Sequence, residues 1–142
     1  MSNIMITGND LTLDQIAAIC RGHAKIELAQ EAKKQIIESR KVVDQLVEDE
    51  KVVYGITTGF GKFSDVVISH DQCKALQKNL IITHAVGAGE PFKEDIARGI
   101  MLLRINNLVK GFSGIRLETV QTMVDMLNKL SLIHISEPTR PE

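Results

Sequence analysis

The sequence predicts a mainly helical fold that begins with one short strand. Apolar residues recur at steps of three and four through most of the 142 residues, a spacing typical of amphipathic helices. Glycine and proline separate these periodic segments. The chain is about one domain long, and we find no internal repeat and no low-complexity tract in it.

The first two elements are predicted to be a strand at residues 3–7 and a helix that ends near Arg21. Gly8-Asn9-Asp10 turns the chain between them, and Thr12 supplies the N-cap of the helix. The residues of this helix expected to face inward are Ile16, Ile19 and Cys20.

The second predicted helix is longer and covers about residues 28–50. Apolar or small residues follow one stripe along it, and charged residues occupy the other faces. The members of the stripe are Ala29, Ala32, Ile36, Ser39, Val43 and Leu46.

A third helix is predicted to run from a capping box at Ser69 and Gln72 to about Ala85. Its expected inner face comprises Cys73, Leu76, Leu80 and either Thr83 or His84. This helix follows a glycine-rich segment in which the periodic pattern breaks.

Two further helices are predicted at residues 91–109 and 116–129. In the first, Gly99 is expected to permit close backbone contact and Gly111 to stop the helix. Its predicted apolar face comprises Ile96, Ile100, Leu103 and Leu108. The predicted buried residues of the second are Val120, Met123, Val124 and Leu127.

Composition excludes several classes of function. Lys and Arg total 17 against 18 Asp and Glu, so no strong net field attracts nucleic acid or an anionic membrane. Hydrophobic residues make up 44% of the chain, but no stretch approaches the roughly 20 apolar residues of a membrane span, and we expect a cytoplasmic protein. The cysteines Cys20 and Cys73 are expected to be buried free thiols, and the four histidines lack metal-ligand spacing, so no metal is expected.

The segment from Tyr54 to Gly61 is the first candidate site. It places one phenol and two threonines among Gly55, Gly59 and Gly61, and so many glycines indicate unusual backbone angles or a close approach. A phosphate loop is excluded because five residues separate Gly55 from Gly61 and a phenylalanine replaces the required hydroxyl. A dinucleotide-binding loop is excluded because the third glycine is absent, so no nucleotide cofactor is expected.

Three motifs in order resemble the N-terminal part of the aromatic amino acid ammonia-lyases. They are Tyr-Gly-Ile-Thr-Thr-Gly-Phe-Gly from residue 54, Leu-Ile-Ile-Thr-His-Ala-Val-Gly-Ala-Gly-Glu-Pro from residue 80, and Asn-Asn-Leu-Val-Lys-Gly-Phe-Ser-Gly-Ile-Arg from residue 106. His84 followed by Gly-Ala-Gly-Glu-Pro is similar to the histidase branch and unlike the plant phenylalanine enzymes. The tyrosine or phenylalanine ammonia-lyases and the related aminomutases stay as alternatives.

The resemblance implies a fumarase/aspartase-like helical fold, a homotetramer, and elimination of ammonia from L-histidine to give trans-urocanate. It implies that Tyr54 is the base that removes the β-proton and that His84 meets the imidazole ring of the substrate. A closing loop makes Gly55, Gly59 and Gly61 hinge candidates. From the residues alone, Tyr54 also fits a structural tyrosine in a turn, and His84 a core histidine or a cation at a helix C-terminus.

The chain departs from the family pattern in two ways. Family members form the electrophile methylidene-imidazolone (MIO) from an internal Ala-Ser-Gly, and no such tripeptide occurs here. Residues 130–142 match nothing expected after the last predicted helix. We therefore expect residues 1–129 to be an incomplete lyase segment, inactive alone, followed by a non-native or disordered tail. A non-catalytic helical interaction module is the alternative.

Overall fold

The computed structural model describes residues 3–49, 51–53, 56, 70–87 and 89–129. The chain divides into two compact units, one made of Met1–Lys41 with Pro91–Glu142 and the other of Val42–Glu90. The described elements, in chain order, are β1 (Ile4–Ile6), α1 (Leu13–Cys20), β2 (Ile26–Leu28), α2 (Gln30–Glu48), α3 (His70–His84), α4 (Glu94–Leu108) and α5 (Leu117–Asn128). The predicted mainly helical fold with a short N-terminal strand is thus confirmed.

A two-stranded parallel sheet lies in the first unit. Its register aligns Ile4 with Ile26 and Ile6 with Leu28, and α1 forms the crossover between the strands. Strand β2 was not predicted, because three residues are too few to show an alternating pattern. Leu28 was expected to lie in the long second helix, which instead begins at Gln30.

The capping of α1 follows its sequence. Thr12 Oγ1 accepts a hydrogen bond from the Gln15 backbone N–H at 3.3 Å, and Gln15 Oε1 accepts one from the Thr12 N–H at 2.9 Å. This reciprocal pair is a capping box, which satisfies donors that the first helical turn leaves free. Ile19 and Cys20 are buried as predicted. The side chain of Cys73 lies outside the described residues.

The hydrophobic core of the first unit joins the sheet to parts of all its helices. Side chains from both strands, from α1, and from the first half of α2 contact those of α4 and α5. The fully buried members include Ile6, Ile19, Ile26, Leu28, Ile36, Leu102, Ile105, Val120 and Leu127. The predicted inward residues Val120, Val124 and Leu127 of α5 are buried, and Met123 is half-buried.

The predicted apolar face of α4 is wrong except at Leu108. Ile96, Ile100 and Leu103 are 48%, 53% and 53% exposed. The buried residues of this helix are Arg98, Leu102, Ile105 and Leu108. The predicted and the observed buried residues both recur at helical spacing. Only the observed set contains a charged residue, Arg98, and burying an arginine is costly unless its donors are satisfied. The purely apolar set therefore fitted the sequence pattern better.

The buried guanidinium of Arg98 is satisfied by helix ends. Its Nε and Nη2 donate to the Ile19 carbonyl at 3.1 and 2.9 Å, and its Nη1 donates to the Leu127 carbonyl at 2.9 Å. Both carbonyls lie in the last turn of a helix, where backbone acceptors have no partner within the helix. Arg98, only 2% exposed, therefore connects the C-terminal ends of α1 and α5 to the second turn of α4.

The corner between α4 and α5 rests against α2. Gly111 has φ +74° there, and a Cβ on it would come within 2.9 Å of the Gln35 carbonyl oxygen. The Gly114 N–H donates to Ser39 Oγ at 3.0 Å, and its carbonyl accepts from Arg40 Nη1 at 3.3 Å. The expectation that Gly111 ends the helix is confirmed. Gly99 needs no close contact, since an added Cβ would meet only Cys20 Sγ, at 3.7 Å.

Two exposed ion pairs join the chain after α1 to the first turn of α4. Arg21 Nε lies 3.5 Å from a carboxylate oxygen of Asp95, and His23 Nε2 lies 3.4 Å from one of Glu94. Exposed pairs of this kind contribute little to stability. Across the described residues, no helix is both long and apolar enough to cross a membrane.

Candidate active site

The structure describes one of the five predicted site residues, His84. Tyr54, Gly55, Gly59 and Gly61 lie outside the described residues, as do Ser69 and the side chain of Gln72 from the predicted capping box. His84 is the last residue of α3, in the second unit.

The imidazole of His84 makes its hydrogen bonds within its own helix, through Nδ1. His84 Nδ1 lies 2.9 Å from the Leu80 carbonyl oxygen and 3.2 Å from Thr83 Oγ1. The Thr83 hydroxyl in turn donates to the Leu80 carbonyl at 3.1 Å. Thr83 and His84 are both exposed, so the expectation that one of them lies on the inner face of the helix is wrong; Leu76 and Leu80 are half-buried.

Three large apolar side chains close to His84 in sequence are exposed, on the last turn of α3 and just beyond it. Ile81, Ile82 and Val86 are 69%, 60% and 81% exposed. An exposed imidazole and exposed apolar side chains at the same end of a helix are groups that suit an aromatic ligand with a polar edge.

The chain leaves α3 in an open glycine-containing turn. The Ala85 N–H donates to the Ile81 carbonyl at 2.9 Å and the Val86 N–H to the His84 carbonyl at 2.8 Å, which ends the helix. Gly89 has φ +92°, and a Cβ on Gly87 or Gly89 would meet nothing within 4 Å. Gly89 is therefore required for its backbone angle, not because of a close neighbour in the described structure.

Two adjacent asparagines near the end of α4, Asn106 and Asn107, differ in burial. Asn106 Nδ2 donates to the Gly8 carbonyl at 3.4 Å, and its buried Oδ1 has no partner among the described residues. Asn107 is exposed. The amide of Asn106 therefore has a fixed partner in the Gly8 carbonyl.

An open cavity of about 320 Å³ lies between α1 and α4 in the first unit. Apolar side chains including Leu13, Ile16 and Ile96 line it, together with Cys20. Burial raises the pKa of the Cys20 thiol, an effect that the Arg98 guanidinium partly opposes. A protonated thiol is a poor nucleophile, so this cavity offers no evident chemistry. In the described part of the chain, no three histidine, cysteine or acidic side chains converge as metal ligands would.

Comparison with known proteins decides the family. The family model for aromatic amino acid lyases matches residues 11–135, most of the chain. This chain belongs to the aromatic amino acid lyase family. The histidine ammonia-lyase of Alkaliphilus oremlandii (strain OhILAs) is 61% identical over 129 residues, which are 91% of this chain and 25% of that protein. The chain thus spans about a quarter of the length of the curated relatives that it matches.

Solved structures support the same family. The crystal structure of histidine ammonia-lyase from Trypanosoma cruzi superposes with a TM-score of 0.80 at 41% identity, over 89% of this chain and 24% of that one. Tyrosine aminomutase from Streptomyces globisporus superposes with a TM-score of 0.84 at 28% identity, over 90% of this chain and 24% of that one. The predicted likeness to the N-terminal part of the ammonia-lyase fold is confirmed.

Thr83 was not among the predicted site residues, although its hydroxyl lies 3.2 Å from His84 Nδ1. A hydroxyl directly before a histidine carries no periodic signal. The signal that was available is the spacing of three and four residues that lets Thr83 and His84 both reach back to the Leu80 carbonyl.

Proposed function

We propose that this chain is the N-terminal part of a histidine ammonia-lyase, which converts L-histidine to trans-urocanate and ammonia without oxidation. The observation that carries the proposal is the 61% identity with the Alkaliphilus oremlandii histidine ammonia-lyase over 129 residues. A homotetramer, implied by the family resemblance, and a cytoplasmic location, suggested by the composition, are parts of the same proposal.

In this reaction a proton leaves the β-carbon, the bond from the α-carbon to nitrogen breaks, and a carbon–carbon double bond forms. We assign the proton transfer to the phenol oxygen of Tyr54. An ordinary phenol has a pKa of about 10, so the complete site must favour the phenolate. The glycines at 55, 59 and 61 are proposed to let the loop close over the substrate and exclude water.

We assign His84 to contact the imidazole ring of the substrate. Support comes from its exposed ring at the end of α3 and from the exposed apolar side chains of Ile81, Ile82 and Val86, close to it in sequence. These groups suit a flat ring with a polar edge better than a small aliphatic substrate.

The residues of this chain cannot supply MIO. In the family the group activates the amino group for departure, and it forms from Ala-Ser-Gly, which none of the 142 residues provide. We therefore assign no step to MIO here. The proposed contributions of this chain are proton removal by Tyr54 and ring contact by His84.

A chimaera tests the proposal. Residues 1–129 of this chain replace the corresponding segment of the Alkaliphilus oremlandii enzyme, whose remaining three-quarters this chain does not cover. We expect a tetramer that forms urocanate from L-histidine, followed by ultraviolet absorbance. A folded tetramer without activity, or one that deaminates only tyrosine or phenylalanine, contradicts the assignment.

The role of Tyr54 has its own test in the same chimaera. Tyr54→Phe removes the acidic oxygen and keeps the ring, so turnover should fall by about 10²- to 10⁴-fold, the usual contribution of a positioned base. Circular dichroism and gel filtration serve as controls for fold and assembly. Turnover near that of the parent chimaera would remove Tyr54 from the role of base.

An aminomutase is the second candidate, favoured by the likeness to the Streptomyces globisporus tyrosine aminomutase. Its identity to this chain is 28%, against 41% for the Trypanosoma cruzi histidine ammonia-lyase. A chimaera that converts tyrosine to its β-amino isomer and leaves histidine unchanged would favour the aminomutase.

A further inference from the structure

Three atoms in the last turn of α3 determine which nitrogen of His84 carries hydrogen. The Leu80 carbonyl oxygen lies 2.9 Å from His84 Nδ1 and 3.1 Å from Thr83 Oγ1. Thr83 Oγ1 lies 3.2 Å from the same Nδ1. All three atoms belong to the last turn of α3.

The donor and acceptor properties of these atoms leave one consistent arrangement. A carbonyl oxygen only accepts, and when the Thr83 hydroxyl directs its single hydrogen to Leu80 it presents lone pairs to His84. Nδ1 then faces two acceptors and must itself carry a hydrogen. The opposite arrangement would place the Nδ1 lone pair 2.9 Å from the lone pairs of the Leu80 carbonyl, which is repulsive.

We propose that Thr83 is a positioning residue that, with the Leu80 carbonyl, holds neutral His84 as the Nδ1–H tautomer and leaves Nε2 as a hydrogen-bond acceptor for the ligand. This inference rests on the proposed function, in which His84 contacts the substrate ring. It adds the direction of the bond: the ligand donates and His84 accepts.

The direction of the hydrogen bond to His84 Nε2 restricts which ligands can pair with it. An aromatic ring with an N–H or O–H at its edge satisfies Nε2, and the N–H of an imidazole does so. A plain phenyl ring leaves the acceptor unpaired, at the cost of a lost hydrogen bond. His84 is exposed in the described structure, so Nε2 is accessible.

The tautomer can be measured without any activity. We would label this 142-residue chain with ¹⁵N-histidine and record long-range ¹H–¹⁵N spectra at about pH 8.5, where an ordinary imidazole is neutral. His84→Gln identifies the His84 signals. The expected pattern is Nδ1–H in the parent and in Thr83→Ser, with a larger share of Nε2–H in Thr83→Val, which keeps only the Leu80 acceptor. An Nε2–H pattern in the parent chain overturns the proposal.

KM and kcat of the chimaera for L-histidine test whether Thr83 contributes to substrate binding. Losing one hydrogen bond to the ring should raise KM for L-histidine by about three- to tenfold in Thr83→Val, with kcat nearly unchanged. Thr83→Ser keeps the hydroxyl and should restore the parent KM. Thr122→Val is the matched control, because Thr122 also donates its hydroxyl to a backbone carbonyl of its own helix, at 2.8 Å, and is exposed.

The two tests separate the two proposals. A chimaera that forms no urocanate contradicts the proposed function, while the spectra still decide the tautomer. An active chimaera whose KM is the same in Thr83→Val and in the parent overturns the role of Thr83, whatever the substrate.

Discussion

The side chain of Asn128 pairs with the backbone of Ile26 as a neighbouring strand would. Asn128 Oδ1 accepts from the Ile26 N–H at 2.9 Å, and Asn128 Nδ2 donates to the Ile26 carbonyl at 2.9 Å. The opposite edge of β2 pairs with β1, so the last residue of α5 completes the hydrogen bonding of Ile26. Unpaired strand edges are otherwise open to solvent or to other chains.

Replacing Asn128 should therefore destabilise the first unit. Asn128→Ala leaves the N–H and carbonyl of Ile26 without these partners, and we expect a loss of about 1–3 kcal/mol in the free energy of unfolding. Urea denaturation followed by circular dichroism measures it. Asn107→Ala is the control, because Asn107 is exposed. Equal midpoints for the two variants would show that the amide contributes nothing.

Arg98 should be required for stability although it is charged. Arg98→Met keeps much of the side-chain volume but removes the donors to the Ile19 and Leu127 carbonyls, so we expect a loss of about 2–4 kcal/mol. The exposed Arg104 lies on the same helix, and Arg104→Met should cost under about 0.5 kcal/mol. Thermal unfolding of both variants compares them. A stability of Arg98→Met equal to that of the parent would mean that the buried hydrogen bonds are not needed.

Two glycines should respond to alanine in opposite directions. Gly111→Ala places a Cβ 2.9 Å from the Gln35 carbonyl oxygen at φ +74°, so we expect a loss of at least about 1 kcal/mol. Gly99 lies within α4, where an added Cβ meets only Cys20 Sγ at an ordinary 3.7 Å. Gly99→Ala should gain about 0.5–1 kcal/mol from its higher helix propensity. A higher urea midpoint for Gly111→Ala than for Gly99→Ala would contradict the close approach of Gly111 to Gln35.

The two faces of α4 can be distinguished by truncating one isoleucine on each. Ile105→Ala opens a cavity in the core and should cost about 2–5 kcal/mol. Ile100→Ala, at a residue 53% exposed, should cost under about 1 kcal/mol. Thermal melting of the two variants measures the difference. A larger loss of stability from Ile100→Ala than from Ile105→Ala would show that the face predicted from the sequence is the buried one.

The helices could be predicted from sequence because each repeats its apolar pattern over at least two turns. Thr12 marked the start of α1, and Gly111 marked the end of the fourth helix. The strand β2 could not be predicted, since a pairing of three residues with β1 depends on contacts distant in sequence. The face of α4 was misassigned because Arg98 is buried only through carbonyls supplied by two other helices.

The candidate site was predicted through resemblance more than through periodicity. His84 was found from the motif around it, and the structure adds its bond to Leu80 and its exposure. The roles of Tyr54 and of Gly55, Gly59 and Gly61 stay predictions. The part played by Thr83 depends on the direction of a hydroxyl hydrogen, which no residue pattern expresses.

The division of the first unit between the two ends of the chain has a consequence for the order of folding. During synthesis, Ile26 emerges 102 residues before the Asn128 that completes its hydrogen bonds. The apolar side chains of the sheet and of α1 therefore stay uncovered until Pro91 and the residues after it have been made. Such long-range closure slows folding and prolongs exposure to aggregation. We expect nascent chains that stop before α5 to bind chaperones more strongly than chains that include it.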